Sequence, residues 1–135
     1  MARKVAWILS ILLLLNIGAI GLYHGLRQLS NVHTPLQQSV TIGMLSYGVL
    51  GLAAAAALIA RHGSALWLAT AWAIFVTYVA TVAPIAYGGS KVPMGGVIAG
   101  GVGAALIGIG VVWCTHKVTR PATLHDRVAS TADTR

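Results

Sequence analysis

Four apolar blocks, each long enough to cross a lipid bilayer as a helix, constrain the fold of this chain more than any other feature. They cover approximately residues 5–23, 39–60, 64–87 and 93–113. About 20 apolar residues in a helix span the hydrocarbon core of a bilayer. Backbone polar groups in lipid must be bonded within the protein, and unbroken apolar runs such as residues 11–15 lack the alternation of a barrel strand. The sequence therefore predicts an all-α fold, an integral membrane four-helix bundle.

The composition agrees with this class. The chain has 135 residues, of which 57% are hydrophobic and 8% charged, which is too apolar for a soluble domain of that size. We predict one domain over residues 1–116, which contains the four transmembrane helices, and a flexible basic cytoplasmic tail over residues 117–135. The first block also has features of a signal peptide, but its apolar run is longer than usual, which favours a retained helix.

The distribution of Lys and Arg predicts an orientation. If the N-terminus is cytoplasmic, that side holds most of the basic residues: Arg3, Lys4, Arg61, Lys117, Arg120, Arg127 and Arg135. The other side then holds only Arg27 and Lys91. The positive-inside rule thus predicts that both termini are cytoplasmic in a multi-pass protein of the cell inner (plasma) membrane. Basic residues at the ends of apolar blocks favour contact with the lipid bilayer and its anionic headgroups, and no nucleic-acid partner is expected.

Carboxylates are absent from the predicted membrane domain, because Asp126 and Asp133 are the only two acids in the chain. An acid inside the membrane is the usual mark of a proton relay, a cation site or an acid/base catalyst. The single cysteine, Cys114, excludes an internal disulfide. The sequence therefore predicts that the protein is not an enzyme, and it indicates no catalytic residue, metal site or cofactor.

Small residues recur along the fourth block and give the strongest packing signal. Gly96, Gly100, Ala104 and Gly108 are spaced four apart, and Gly101 lies beside them. Such a ridge allows another helix to approach closely. It predicts either an interface with a second copy or a partner protein, or packing inside the four-helix bundle, and the pattern alone favours neither.

A group of polar side chains is predicted to lie at one level of the bundle. At about 1.5 Å of rise per residue, the level contains Asn16 on the first helix, Ser46 and Tyr47 on the second, and Thr77 and Tyr78 on the third. These residues either line a pocket for a small ligand or quinone headgroup, or form hydrogen bonds between helices. Histidines such as His62 and His116 lie just beyond helix ends, and no pair has the spacing of metal ligands on one helix.

Two families of small membrane proteins resemble this chain. The size and helix count resemble the small multidrug-resistance transporters, but that family uses a glutamate in its first helix, where this chain has Asn16 and no acid. The first helix closes with Gly25-Leu26-Arg27-Gln28-Leu29. That ending, with its glycine, basic residue and leucine, is similar to the DoxX-like group of small four-helix bacterial inner-membrane proteins. The resemblance implies an accessory or quinone-related role.

Association is the function that the sequence favours. The expectation is an accessory or scaffolding subunit that acts through helix contacts, as a homo-oligomer or within a larger membrane complex, with the glycine face of the fourth helix as its contact surface. A small oligomeric transporter of a neutral solute or lipid is an alternative, with the level around Asn16 as its path. A quinone- or haem-associated redox membrane anchor is a second alternative.

Overall fold

The computed structural model describes residues 2–88 and 92–119, with side chains from Lys4 onward. It contains four long helices: α1 (Ala2–Gln28), α2 (Pro35–Ile59), α3 (Ala65–Gly88) and α4 (Met94–Thr119). A short 3₁₀ turn, Leu29–Asn31, follows α1, and the described part of the chain contains no strand. All four helices are long and apolar enough to span a membrane. The all-α prediction is confirmed, and the four apolar spans are typical of a multi-pass membrane protein.

Several helix ends lie well outside the apolar blocks, because a helix can continue beyond the hydrocarbon core into the polar region of a bilayer. α1 continues to Gln28, and α2 begins at Pro35. The Thr34 hydroxyl caps α2 by accepting a hydrogen bond of 3.2 Å from the Gln37 backbone N–H. Proline in the first turn is compatible with this start, since it lacks an N–H that would need a partner.

The fourth helix continues past residue 116, the predicted end of the membrane domain. The structure keeps Lys117 in the last turn of α4, which ends at Thr119. The Thr119 hydroxyl donates to the Thr115 carbonyl at 2.9 Å, and a lysine near a helix C-terminus interacts favourably with the helix dipole. The rest of the predicted tail, residues 120–135, lies outside the described residues, as does the connection at residues 89–91.

The four helices run up and down in chain order. α1 packs against α2, α2 against α3, and α3 against α4, while the contact between α1 and α4 is much smaller. The start of α1, the turn between α2 and α3, and the end of α4 therefore lie at one end of the bundle. We call it the termini end, and the other end the opposite end.

The turn between α2 and α3 is tight because a non-glycine residue adopts a left-handed conformation. Arg61 has a φ of 53°. The His62 N–H donates to the Ala57 carbonyl at 2.8 Å, and the Arg61 N–H donates to the Leu58 carbonyl at 3.2 Å. This pair of bonds is the Schellman arrangement that ends many helices. The turn aligns α2 and α3 side by side.

The closest helix contact joins α1 to α2 through glycines. A Cβ atom added to Gly48 would lie 2.8 Å from the Leu22 backbone nitrogen, and one added to Gly18 would lie 3.1 Å from the Gly48 carbonyl oxygen. A Cβ added to Gly51 would lie 3.0 Å from the Leu14 carbonyl oxygen. The two backbones therefore touch directly. In the sequence, the strongest packing signal is on α4. In the structure, the helices whose backbones come closest together are α1 and α2.

Candidate association surface

Two members of the predicted ridge of α4 are buried against α3. A Cβ added to Gly101 would lie 2.5 Å from the Thr81 hydroxyl oxygen, and one added to Gly108 would lie 2.8 Å from the Ala73 Cβ. Gly100 is nearer the edge, with an added Cβ 3.5 Å from the Ala80 carbonyl oxygen.

The other two members of the ridge differ from these. Ala104 is half-buried, and Gly96 is exposed, with only the Pro93 ring near an added Cβ. Of the two interpretations left open by the sequence, packing inside the bundle is the one that the contacts of Gly101 and Gly108 support.

A different stripe of small residues on α4 points outward. An added Cβ at Gly95, Gly103 or Gly110 would meet nothing within 4 Å in the described part of the chain, and Ala99 is exposed. At 3.6 residues per turn these four positions share a face that is turned away from α3. Small residues accommodate lipid chains as well as a helix, so this stripe by itself identifies no partner.

Two residues of the predicted polar level bond locally or to the neighbouring helix. The Thr77 hydroxyl donates to the Ala73 carbonyl at 2.8 Å. The Tyr78 and Ser39 hydroxyls form a hydrogen bond of 2.9 Å between α3 and α2. Both side chains therefore have partners without any ligand.

The remaining members of that level lie elsewhere. Tyr47 is buried, and its ring lies beside Gly21 of α1. Ser46 is half-buried on α2, and Asn16 is exposed on α1. The structure therefore does not gather the five side chains around one pocket, and the position of Asn16 needs a separate explanation.

Asn16 lies on the outer face of α1, opposite the face that packs against α2. That outer face carries residues at alternating intervals of four and three, all of them exposed: Val5, Leu9, Leu12, Asn16, Ala19, Tyr23 and Leu26. Its large apolar members are each more than half exposed. The spacing is the heptad pattern of the contact positions in a coiled coil. We call this set the α1 seam.

Asn16 is placed at the middle of its helix. It lies 12 residues after Lys4 and 11 before Arg27, or about 18 Å and 17 Å along the axis at about 1.5 Å per residue. Within residues 2–88 and 92–119 its carboxamide has no hydrogen-bond partner. A polar group in an apolar environment is costly unless it is hydrogen-bonded. The α1 seam thus contains an exposed polar group without a partner where an apolar residue would be expected.

A polar cluster that the sequence did not predict joins α2 to α3 at the opposite end. The Gln37 Nε2 donates to the Ala86 carbonyl at 3.3 Å, and the Thr41 and Tyr87 hydroxyls lie 3.1 Å apart. Neither Gln37 nor Tyr87 is among the residues that the sequence singles out. The spacing of Gln37 and Thr41 on one helix face was the available signal. Because the polar groups of α2 and α3 form hydrogen bonds with each other, the cluster stabilises the contact between these two helices.

The histidine at the turn between α2 and α3 has a structural role. His62 Nδ1 lies 2.8 Å from the Ser64 hydroxyl and accepts a bond of 3.2 Å from the Ser64 backbone N–H. In the described ranges, no three His, Cys, Asp or Glu side chains come close enough together to hold a metal ion.

Comparison of the chain with protein-family models, with curated proteins and with solved structures finds no significant match in any of the three. The resemblance to the DoxX-like group therefore stays a prediction that depends on the architecture and on the residues from Gly25 to Leu29.

Proposed function

We propose that this protein is a multi-pass inner-membrane protein that acts by association, as a scaffolding or accessory subunit that pairs with a second copy of itself through the α1 seam. The observation that carries the proposal is the exposed Asn16 at the middle of α1, without a hydrogen-bond partner in the described part of the chain. In hydrocarbon, a partner helix is the available source of that hydrogen bond.

A second copy suits this position because of symmetry. Two copies inserted in the same orientation place Asn16 at the same depth. A carboxamide both donates and accepts hydrogen bonds, so two asparagines related by a twofold axis can bond reciprocally. A single asparagine at a heptad contact position also fixes the register of a coiled coil. The α1 seam therefore favours a parallel, in-register pair.

The proposed orientation, with both termini cytoplasmic, is supported by charge and by aromatic residues. The described basic residues at the termini end are Lys4, Arg61 and Lys117, against Arg27 near the opposite end. Trp67 and Trp113 are exposed at the termini end. Basic residues on the cytoplasmic side and tryptophan at the interface are typical of inner-membrane proteins.

The transporter alternative gains no support from the structure. The polar level proposed as its path is not gathered around one cavity, because Asn16 faces outward on α1 while Ser46 and Thr77 are half-buried on α2 and α3. A path through the interior would also have to pass Leu14 and Trp72, which are fully buried.

Substitution of Asn16 tests the proposal. We expect Asn16→Leu to weaken self-association about tenfold, since polar hydrogen bonds between membrane helices contribute ~1–2 kcal/mol in model peptides. Energy transfer between donor- and acceptor-labelled copies in lipid vesicles, diluted with increasing lipid, measures the association constant. Asn16→Gln keeps a carboxamide and is expected to retain most of the association.

Two further variants locate the surface. The double variant Leu15→Asn with Asn16→Leu moves the carboxamide off the seam and is expected to behave like Asn16→Leu. Gly103→Leu adds bulk to the outward stripe of α4 and is expected to leave association unchanged. If Gly103→Leu lost association while Asn16→Leu associated like the wild type, the proposal would be contradicted. A second contradicting result would be two differently tagged copies that co-purify with other proteins but never with each other.

A further inference from the structure

A long groove between α3 and α4 opens on the outer surface of the bundle. Its volume is about 840 Å³, and its walls include Trp67, Thr70 and Ile74 of α3 and Ala105, Ile109 and Trp113 of α4. Ile74 and Ile109 are each 65% exposed, so the groove is open to its surroundings along its length. It lies on different helices from the α1 seam.

The walls of the groove are apolar in effect, although two threonines contribute to them. The Thr70 hydroxyl donates to the Leu66 carbonyl and the Thr77 hydroxyl to the Ala73 carbonyl, both at 2.8 Å. Both hydroxyl protons are donated to carbonyls of α3 itself. The threonines therefore present mainly their methyl groups to the groove and have no free donor. The groove therefore fits a hydrocarbon chain.

The length of the groove matches one leaflet of a bilayer. Along α3 it runs from Leu66 to Thr77, which is about 17 Å at about 1.5 Å per residue. Half of the ~30 Å hydrocarbon core is about 15 Å. The groove thus extends from the termini end to the middle of the span, as an acyl chain does.

Positive charge lies at the mouth of the groove. The Lys117 Nζ is held 3.9 Å from the centroid of the Trp113 ring, a cation–π contact that keeps the ammonium beside the groove. His116 also lines this end. An anionic headgroup would meet Lys117 there.

We propose that the groove between α3 and α4 binds an anionic phospholipid, with an acyl chain between the helices and the headgroup phosphate at Lys117. The proposal rests on the membrane location proposed above and is independent of pairing through the α1 seam. The variant Asn16→Leu is therefore expected to lose self-association and to keep lipid binding.

Native mass spectrometry of the purified full chain, titrated with phosphatidylglycerol or with phosphatidylcholine of the same acyl chains, tests the headgroup. We expect phosphatidylglycerol to bind about fivefold more tightly, which is the effect of one basic residue near an anionic lipid. Lys117→Gln is expected to remove most of that preference, whereas Lys4→Gln, a charge at the same end on α1, is expected to keep it. Equal binding of the two lipids by the wild-type chain, or equal effects of the two lysine variants, would overturn the proposal.

A second pair of variants tests the groove. Ala105→Phe fills it and is expected to lower the binding of both lipids at least fivefold, while Ala56→Phe, at an exposed position on α2, is expected to have no effect. Circular dichroism checks that each variant keeps its helices, and Ala105→Leu replaces Ala105→Phe if the latter does not fold. Unchanged lipid binding in a folded Ala105 variant, or displacement of phosphatidylglycerol by glycerol phosphate without acyl chains, would overturn the proposal.

Discussion

Replacing Gly48 with alanine is expected to lower the free energy of unfolding by about 2 kcal/mol, within the range of overpacked cores. The added Cβ would lie 2.8 Å from the Leu22 backbone nitrogen and 3.1 Å from the Gly18 carbonyl oxygen. Both atoms belong to the backbone of α1, so no side-chain rotation relieves the overlap. The helices must move apart, and the van der Waals contacts that drive helix association in lipid are lost along the interface.

The control for Gly48→Ala is Gly110→Ala. An added Cβ at Gly110 meets nothing within 4 Å in the described residues. Alanine favours a helix over glycine by about 1 kcal/mol, so this variant is expected to be as stable as the wild type or more stable. Titration with sodium dodecyl sulfate, followed by circular dichroism, measures both free energies. Equal effects of the two variants would show that the contact between α1 and α2 is not specially close.

Trp72→Ala is expected to be the most destabilising change in the core, at about 3 kcal/mol. Trp72 is fully buried. Its removal leaves a cavity whose lining loses its dispersion contacts. The expected loss is at the low end of the range for soluble proteins. In a membrane, a tryptophan that leaves the core meets lipid and not water, so the free energy of transfer from water does not contribute.

Trp72→Phe separates the two properties of that side chain. In the described part of the chain, the Trp72 Nε1 is buried without a hydrogen-bond partner. Phenylalanine keeps much of the volume and removes this unsatisfied donor, so we expect a loss of less than about 1 kcal/mol. The same detergent titration measures it. If Trp72→Phe were as destabilising as Trp72→Ala, the indole N–H would have an essential partner that this account lacks.

The helices could be predicted from the sequence because hydropathy alone identifies them. Four apolar blocks specified four helices. The ends of the helices were less predictable. α4 continues through Lys117 because the Thr119 hydroxyl and the dipole support the last turn, and neither is visible in an apolarity profile.

The direction in which each residue points was harder to predict. Spacing showed that Gly101 and Gly108 share a face of α4, but it could not show that α3 covers that face. The count of residues along α1 gives the depth of Asn16, but it cannot reveal which way the side chain faces around the helix axis. In water the apolar face of a helix marks the buried side, whereas a helix in lipid is apolar on all sides. The heptad spacing around Asn16 was present in the sequence, and it becomes informative once the structure shows that this face is exposed.

Disulfide cross-linking along α1 tests the central claim, pairing through the α1 seam, most directly. In a Cys114→Ser background, single cysteines at Leu12 and Ala19 lie on the seam and leave Asn16 intact, while cysteines at Leu13 and Leu15 lie on exposed faces beside it. A disulfide requires Cβ atoms of two copies about 3.5–4.5 Å apart. Mild oxidation in native membranes is predicted to form dimers at positions 12 and 19 and far fewer at 13 and 15, and Asn16→Leu is predicted to reduce them. Equal cross-linking at all four positions, or none at positions 12 and 19, would contradict the account.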